Sequence, residues 1–582
     1  MNSALNSALN SALNSALNSA LSSSSGSALG TGAAPVIQSI DYAAIAAPLI
    51  LAIAAGLVLL LDAFLPRRPG MGRALGLVAL GGVLAALVVV AVQAAASSRL
   101  PGGARRTFCV PSSLGGAGDA VSCSFVADRF ALLFAGLVLA AGTVIVLLSM
   151  TELSGGRIPV GEWHFLLLAT LTGAVLLPAS RDLIMLVVSL ELVSLPVFAL
   201  IGLRRYDGRA SEAALKLFLV SVVSTAITLF GVSLLYGSTG SVHLGRLARA
   251  YEAGHAAGTT SAVTIVAVVL VVAGFAFKIA AVPFHTWAGD VYQGSPVPVA
   301  ALLSVVSKAA GFAGLILVLT TALPSLAGVW TPVVAVVAAL TMTAGNVLAV
   351  RQRHAVRLLA WSSVAQSGYI LTPLAAVASI RAETSGAGMN ITGASEIGAS
   401  VDAAGGDKIG GAVAASVAYL VFYAAMNLTA FAVVMVVSRR HGRNEIDDYR
   451  GLVHRSPAAG LALAFALVCL AGLPPGLAGL FAKIVVFREV VGAGLGWLAV
   501  VMAVNTVIGL YYYIAWTARL FTPEAVGESR TGSVPGTYET GEGAGSTVST
   551  VSTVPAVVAF GVAVLVSVVF SVAPQVVLSA VG

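Results

Sequence analysis

The sequence predicts an all-α polytopic membrane protein with about fourteen transmembrane helices. Of its 582 residues, 58% are apolar and only 9% are charged, and the mean hydropathy is +0.97. Soluble domains average about 45–50% apolar and about 25% charged residues. The net charge of +7 comes from few and scattered basic residues, which excludes a nucleic-acid binder because such proteins cluster their basic side chains.

Apolar runs of roughly 20 residues, the length that crosses a bilayer, define the predicted spans. The runs are continuous and do not alternate with polar residues, so they indicate helices and not barrel strands. Lys and Arg are more frequent in the loops that lie inside if the N-terminus is outside, so we expect both termini to face outside. The spans cover residues 43–63, 74–95, 126–149, 163–179, 182–203, 212–236, 262–287, 296–321, 328–350, 355–379, 412–438, 457–487, 494–521 and 554–578.

Composition and helix breakers divide the chain into six segments. Prolines beside a lysine interrupt helices 7 and 12, five spans apart, a pattern typical of transporters built from inverted repeats. Five Asn-Ser-Ala-Leu repeats near the N-terminus are typical of a low-complexity, disordered tail. The segments are this tail (1–34), helices 1–3 (35–150), a first five-helix repeat of helices 4–8 (151–325), a second inverted repeat of helices 9–13 (326–522), a flexible loop (523–551) and helix 14 (552–582).

The three cysteines carry little functional information. Cys109 and Cys123 lie in one polar loop, and they can form a disulfide if that loop faces an oxidising compartment. The sequence does not decide between this disulfide and two free thiols. Cys469 lies in an apolar run and is expected in the core. Because no Cys/His pattern has metal-ligand spacing, we predict no metal site.

The lysines are the most informative residues. Only five occur, and four of them lie inside apolar runs, at Lys216, Lys278, Lys308 and Lys483, whereas every arginine lies near a loop or a span end. A lysine at the centre of a membrane helix costs about 2.5–3.5 kcal/mol on insertion scales, so it must face the protein interior and have a partner there. Lysine loses its proton readily when buried, whereas arginine stays charged, so the use of lysine favours proton transfer.

Three further features extend this interpretation. Glu191 is the only carboxylate deep in a span, and pairing with a lysine would couple their titrations; a static salt bridge is the alternative. His285, just after Pro283, could relay protons or cap a freed carbonyl. Lys216, near the start of its span, could instead extend to the membrane surface. Polar groups in span 10 could line a water path or join helices, and they are Ser362, Ser363, Gln366, Ser367 and Tyr369.

One continuous run, from Phe277 to Val299, closely resembles the subunit N family of bacterial respiratory complex I, the NADH–quinone oxidoreductase. Its stretch Asp-Val-Tyr-Gln-Gly-Ser-Pro, residues 290–296, is fairly specific to that subunit. The resemblance covers residues 40–580 or nearly so. Further matches are Leu190–Leu192, Ser194–Pro196, Ser307–Ala309, Arg357–Ser363, Gly368–Tyr369 and Leu473–Lys483.

The resemblance implies fourteen helices, inverted five-helix repeats and a role in proton translocation. It assigns Glu191 to the helix 5 glutamate that pairs with a central lysine, Lys278 to broken helix 7 and Lys308 to helix 8. It likewise assigns Lys483 to broken helix 12, near the outward exit, and Lys216 to helix 6. Pro475, an extra proline beside Pro474, departs from the family pattern and is expected to shift the second break slightly.

The resemblance also implies how the chain is used. It would be an antiporter-like membrane subunit of a translocase in the bacterial plasma membrane, beside neighbouring antiporter-like and peripheral subunits. NADH, FMN, iron–sulfur clusters and quinone would bind in those partners, and this chain would hold no cofactor and no redox site. Two alternatives stay open: a stand-alone or Mrp-type cation/proton antiporter, and a non-pumping scaffold whose buried charges only fix helix register.

Overall fold

The computed structural model describes residues 40–581 apart from short and long gaps. The gaps are 67–69, 98, 100–102, 111–121, 157, 205, 257–260, 378–405, 440–442 and 524–553. The predicted tail at 1–34 and the predicted flexible loop at 523–551, except residue 523, lie outside the described residues. The six-segment division of the chain therefore stays a prediction.

Helices account for nearly all of the described regular structure. The first part of the chain forms α1 (Ala46–Phe64), α2 (Met71–Ser97), β1 (Arg105–Cys109), β2 (Cys123–Ala127), α3 (Arg129–Leu153), α4 (Val160–Leu176), α5 (Leu183–Gly202), α6 (Gly208–Thr239), α7 (Leu244–Ala256), α8 (Ala262–Lys278), α9 (Trp287–Gly294), α10 (Val297–Leu302) and α11 (Lys308–Leu317). The second part forms α12 (Ala327–Val350), α13 (Ala355–Leu371), α14 (Gly406–Ser438), α15 (Leu452–Arg455), α16 (Pro457–Ala471), α17 (Leu477–Gly492), α18 (Gly496–Phe521), α19 (Val554–Val572) and α20 (Gln575–Val581).

Eleven helices in the described part of the chain are long and apolar enough to cross a membrane, and two shorter apolar helices, α8 and α16, accompany them. The predicted all-α membrane architecture is thereby confirmed, with β1 and β2 as a small addition. The count of fourteen spans and the two inverted repeats stay predictions. The span Val297–Ala322 is wholly buried, whereas α6 and α19 are mostly uncovered, so the former lies at the centre of the bundle and the latter two lie outside.

Aspartates begin three of the membrane helices. Asp128 accepts a hydrogen bond from the backbone N–H of Ala131 at 2.9 Å, and Asp182 accepts one from Met185 at 2.7 Å. Asp207 caps α6 in the same way. Each cap satisfies an N–H that has no partner within its helix, at a gain of about 1 kcal/mol. The caps place these helix starts at the polar edge of the bundle.

Both predicted helix breaks are present. Residues 279–286 separate α8 from α9, because Pro283 has no N–H to continue the helical hydrogen bonds. Within this break the N–H of Val282 donates to the Thr341 hydroxyl of α12 at 2.9 Å. Residues 472–476 separate α16 from α17. There Gly472 adopts a φ of +83°, the left-handed conformation that ends helices and favours glycine.

The strands β1 and β2 form an antiparallel hairpin that is closed by a disulfide. Their register pairs Arg105 with Ala127 and Cys109 with Cys123, and the two sulfurs are bonded. The hairpin is attached to the start of α5, because the N–H of Arg181 donates to the Ser124 carbonyl at 2.8 Å. Of the two possibilities that the sequence left open, the structure contains the disulfide. Cys469 is free and buried, as expected.

This pairing predicts which thiols can be alkylated. In the denatured chain isolated from its native membrane, a mass-tagged maleimide should add one tag, at Cys469, before reduction and three tags after it. In the Cys109→Ser variant, Cys123 is left without its partner, so a second tag should appear before reduction. Three tags on the unreduced wild-type chain would show that the disulfide does not form in the cell.

Candidate functional site

Lys278 is the last residue of α8 and points away from lipid. Its ammonium nitrogen donates a hydrogen bond to the Ser194 hydroxyl of α5 at 2.7 Å, and the residue is only 8% exposed. The hydroxyl hydrogen of Ser194 is used in turn, because it donates to the Leu190 carbonyl at 2.8 Å. The lysine is therefore held by a neutral oxygen, at the mouth of the first helix break.

Glu191 lies one helical turn before Ser194 on α5, which brings its carboxylate close to Lys278. That carboxylate is nevertheless held by another helix, α6. The Thr225 hydroxyl of α6 donates to Glu191 Oε1 at 2.6 Å. No ion pair within 4 Å joins Glu191 to a lysine in the described part of the chain. The predicted direct pair of Glu191 and Lys278 is therefore not formed in this structure. Thr225 holds the glutamate, and Ser194 holds the lysine.

A small cavity adjoins Lys278 between α5, α6 and α8. Its lining includes Ser194, Ser221, Lys278, Trp287 and Ser307. The cavity volume is about 10 Å³, roughly the space that one water molecule needs. The lining is mostly apolar, and three hydroxyl groups and the Lys278 ammonium group are its hydrogen-bonding groups.

Lys308 lies at the centre of the bundle and is 1% exposed. Its ammonium group donates to the main-chain carbonyl of Ser363 and, at 2.8 Å, to the Ser367 hydroxyl, both on α13. The residue directly follows the π-helical turn Leu303–Ser307, an irregularity that often marks functional positions in helices. The hydroxyl of Ser367 also reaches the carbonyl of Ile279, next to Lys278, at 2.9 Å.

A glycine allows α11 to approach the first break closely. A Cβ atom on Gly311 would lie 2.9 Å from the Ile279 side chain and 3.0 Å from Lys278 Cγ. Such distances are shorter than ordinary carbon contacts, so any larger residue would push α11 away from α8. The close approach puts Lys278 and Lys308 on facing helices, with Ile279 and Ser367 between them.

Lys483 lies on α17, just after the second break, and its partners are again neutral. Its ammonium nitrogen donates to the carbonyl of Ala471 at 2.7 Å and lies 3.5 Å from that of Leu470. These carbonyls belong to the C-terminal end of α16, where the helix dipole favours a positive charge. The ammonium also lies 5.6 Å from the centre of the Tyr369 ring.

Lys216 differs from the other three lysines. Its side chain is 43% exposed and forms ion pairs with Glu212 at 2.6 Å and Asp290 at 3.1 Å. Arg357 contacts the other oxygen of Asp290 at 2.7 Å and also donates to Gln293. The structure therefore places Lys216 in a charged cluster near the start of α6, consistent with the alternative that its side chain extends towards the surface.

Asp290 is the centre of that cluster. Partial burial alone would raise the pKa of its carboxyl, but hydrogen bonds from Lys216 and the charge of Arg357 hold that pKa below its usual value. Nearby, burial lowers the pKa of His354 to about 4, and the charges of Arg209 and Arg357 act in the same direction. At neutral pH the aspartate is therefore ionised and this histidine is neutral.

His285 lies in the first break, but it joins none of the lysines. Its ring meets the edge of the Trp361 ring at 5.9 Å between centroids, and its Nδ1 has no hydrogen-bond partner among the described residues. Neither predicted role, proton relay or cap of a freed carbonyl, is decided by these contacts. The described residues also contain no group of three or more side chains suited to hold a metal ion.

Helix α13 connects the sites of Lys308 and Lys483. Ser363 and Ser367 lie on one face and contact Lys308, and the neighbouring face carries Ser362, Gln366 and Tyr369. On that second face the Tyr513 hydroxyl contacts Ser362 and lies 3.2 Å from Gln366 Nε2. The residues of span 10 thus form direct contacts between helices, and the Tyr369 ring brings α13 to within 5.6 Å of the Lys483 ammonium group.

Several residues that contact Glu191 or α13 could not be identified from the sequence. Thr225 and the tyrosines 419, 423 and 513 lie on other helices and contact Glu191 or α13. Asp290 was recognisable from the sequence only as the first residue of the run 290–296. A signal existed for the tyrosines, because buried tyrosine hydroxyls need a partner, but their positions along the chain do not indicate which partner.

Known proteins resemble this chain in both sequence and structure. A family model described as NADH:quinone oxidoreductase/Mrp antiporter, TM matches residues 180–399 and 393–509. NADH-quinone oxidoreductase subunit N 2 of Streptomyces griseus is 50% identical over 86% of this chain and 86% of its own length. Subunit N of Salinispora tropica is 43% identical over 84% of this chain and 87% of its own length.

Two solved structures are also similar. A chain of respiratory complex I from Thermus thermophilus superposes with a TM-score of 0.64 at 27% identity, covering 92% of this chain and 99% of the other. A chain of the Mrp complex from Dietzia superposes with a TM-score of 0.71 at 20% identity, covering 92% and 96%. At that identity the second match shows only a shared fold.

Proposed function

We propose a function for this chain from the premise that it belongs to the subunit N family of NADH-quinone oxidoreductase. As such it is a membrane subunit of an oxidoreductase complex. We infer that it transfers protons across the membrane through Lys278, Lys308 and Lys483, with Glu191 setting the charge beside the first. NADH oxidation and quinone reduction would take place in partner subunits, which would hold the NADH, FMN, iron–sulfur clusters and quinone.

One observation carries this proposal: each of the three central lysines is held by neutral oxygens. A carbonyl or hydroxyl oxygen accepts a hydrogen bond from an ammonium group and also, more weakly, from a neutral amine. A lysine paired directly with a buried carboxylate would, on losing its proton, leave a charge that is costly in a low-dielectric interior. Neutral ligands avoid that cost, so these sites suit lysines that gain and lose protons in turn.

The order of the sites suggests a path. Glu191 and Lys278 lie at the first break, Lys308 lies at the centre of the bundle and Lys483 lies at the second break. We assign Lys216 and Asp290, in their charged cluster, to the entrance of this path, whereas His285 has no contact that assigns it to the path. We expect the chain in the bacterial plasma membrane, with both termini outside and other antiporter-like subunits as neighbours.

The test is purification of the affinity-tagged chain from its native membrane in mild detergent. We expect it to carry along subunits that contain FMN and iron–sulfur clusters and that oxidise NADH, and we expect NADH to drive proton uptake into inverted vesicles. A tagged chain that catalyses sodium–proton exchange and brings no NADH-oxidising subunit would point to a Mrp-type antiporter instead. The Dietzia match makes this second function worth testing, although it shares only the fold.

A further inference from the structure

The side-chain nitrogen of Lys483 belongs to a half-buried residue, and no carboxylate lies within 4 Å of it in the described part of the chain. Its two hydrogen-bond acceptors are the terminal carbonyls of α16, and Tyr369 covers it from the side at 5.6 Å. The face of an aromatic ring carries partial negative charge and attracts a cation at about this distance. The ring therefore takes the place that a carboxylate would otherwise occupy.

The orientation of the Tyr369 ring is determined by a second tyrosine. Tyr369 and Tyr419 are stacked, with an angle of 7° between their planes and 5.9 Å between their centroids. The Tyr419 hydroxyl donates to Gln366 Oε1 at 2.6 Å, and the Tyr369 hydroxyl meets Thr506 at 3.3 Å. Because Gln366 is on the same helix as Tyr369, the stack is held at both ends.

We propose that Tyr369 is a positioning residue for Lys483. The face of its ring, held parallel to Tyr419, keeps the ammonium group on the Ala471 carbonyl and stabilises the protonated lysine. This inference rests on the proposed function, because it assigns a role to a residue that acts through the proton-carrying Lys483. Lys483 is then held by a neutral aromatic ring as well as by the two main-chain carbonyls of α16.

The ring face, and not the hydroxyl, is predicted to act. The hydroxyl points to Thr506 and takes no part in the contact with Lys483. Phenylalanine at this position keeps the face and loses only the hydrogen bonds of the hydroxyl, so it is the reference for the experiment. Fluorine atoms on the ring draw electron density from the face and hardly change its shape, so they weaken the cation–π attraction alone.

The experiment incorporates phenylalanine and its mono-, di- and trifluorinated forms at position 369 of the complete complex. Proton uptake driven by NADH is measured in inverted vesicles and divided by the amount of assembled complex. Across the series we expect a graded loss of proton uptake, on the order of tenfold in total. The same series at Phe134, a buried ring that makes none of the lysine contacts given above, is the matched control and should give a flat line.

A flat series at position 369 would overturn the proposal, because a ring needed only for packing does not respond to fluorination. Tyr369→Leu, which removes the face, should lose proton uptake at least as strongly as the trifluorinated ring. Lys483→Ala, measured in parallel, separates the two levels of inference. Full proton uptake in that variant would contradict the function assigned to Lys483, whereas loss of uptake there with a flat fluorine series would contradict the role of Tyr369 alone.

Discussion

Replacing Lys278 with alanine should lower both NADH–quinone reductase activity and proton uptake, on the order of a hundredfold, in a complex that still assembles. In the proposed function, Lys278 is the group at the first break that binds and releases a proton, so its loss should interrupt the path. Assembly should survive because the Ser194 hydroxyl donates to the Leu190 carbonyl and needs no new acceptor. Both rates are measured on inverted vesicles, with the amount of complex determined by a tag.

Two further variants of Lys278 identify which property matters. Lys278→Met keeps the length of the side chain and fills its space, so a defect shared with alanine comes from the missing amine and not from a cavity. Lys278→Arg keeps the positive charge but holds its proton throughout the working range, so it should also fail to pump. Wild-type rates in the alanine variant would make this lysine structural, and full pumping by the arginine variant would show that only charge is required.

The residues of the proposed proton path could be predicted from the sequence, because a charge in a membrane span is energetically costly. Lys278, Lys308, Lys483 and Glu191 were identified by that cost alone, and the two helix breaks followed from Pro283 and from prolines beside Gly476. Such signals are local: each concerns a residue and the run that surrounds it. They indicate that a partner must exist, but they contain no information on which helix supplies it.

The partners themselves could not be predicted, since they lie far away along the chain. Lys278 and Ser194 are 84 residues apart, and Lys308 and Ser367 are 59 apart. Serine, threonine and tyrosine are also common in membrane helices, so their presence distinguishes few positions. Lys216 lies in an apolar run like the other lysines, but its position near the start of a span and its ion pairs with Glu212 and Asp290 distinguish it. The π-helical turn before Lys308 likewise has no sequence marker.

Changing Glu191 to glutamine should lower proton uptake and quinone reduction together, on the order of tenfold. Glu191 lies one turn of α5 before Ser194, whose hydroxyl holds Lys278, and glutamine removes the charge of Glu191 while it keeps the size of the side chain and an oxygen for Thr225. Glu191→Asp, which keeps the charge, should retain most of the activity. Glu152→Gln is the matched control, because that carboxylate pairs with Arg204 at 2.9 Å, away from the path.

A variant of Thr225 distinguishes the position of the carboxylate from its charge. Thr225→Val keeps the shape of the side chain and removes the hydroxyl that holds Glu191 Oε1 at 2.6 Å. With the charge still present but less fixed, we expect a smaller loss of about threefold, the effect of one ordinary hydrogen bond. Thr225→Ser, which restores the hydroxyl, should recover the rate. Unchanged proton movement in a fully assembled Glu191→Gln complex would remove Glu191 from the path and leave the three central lysines on it. Thr225 would then be only a contact between α5 and α6.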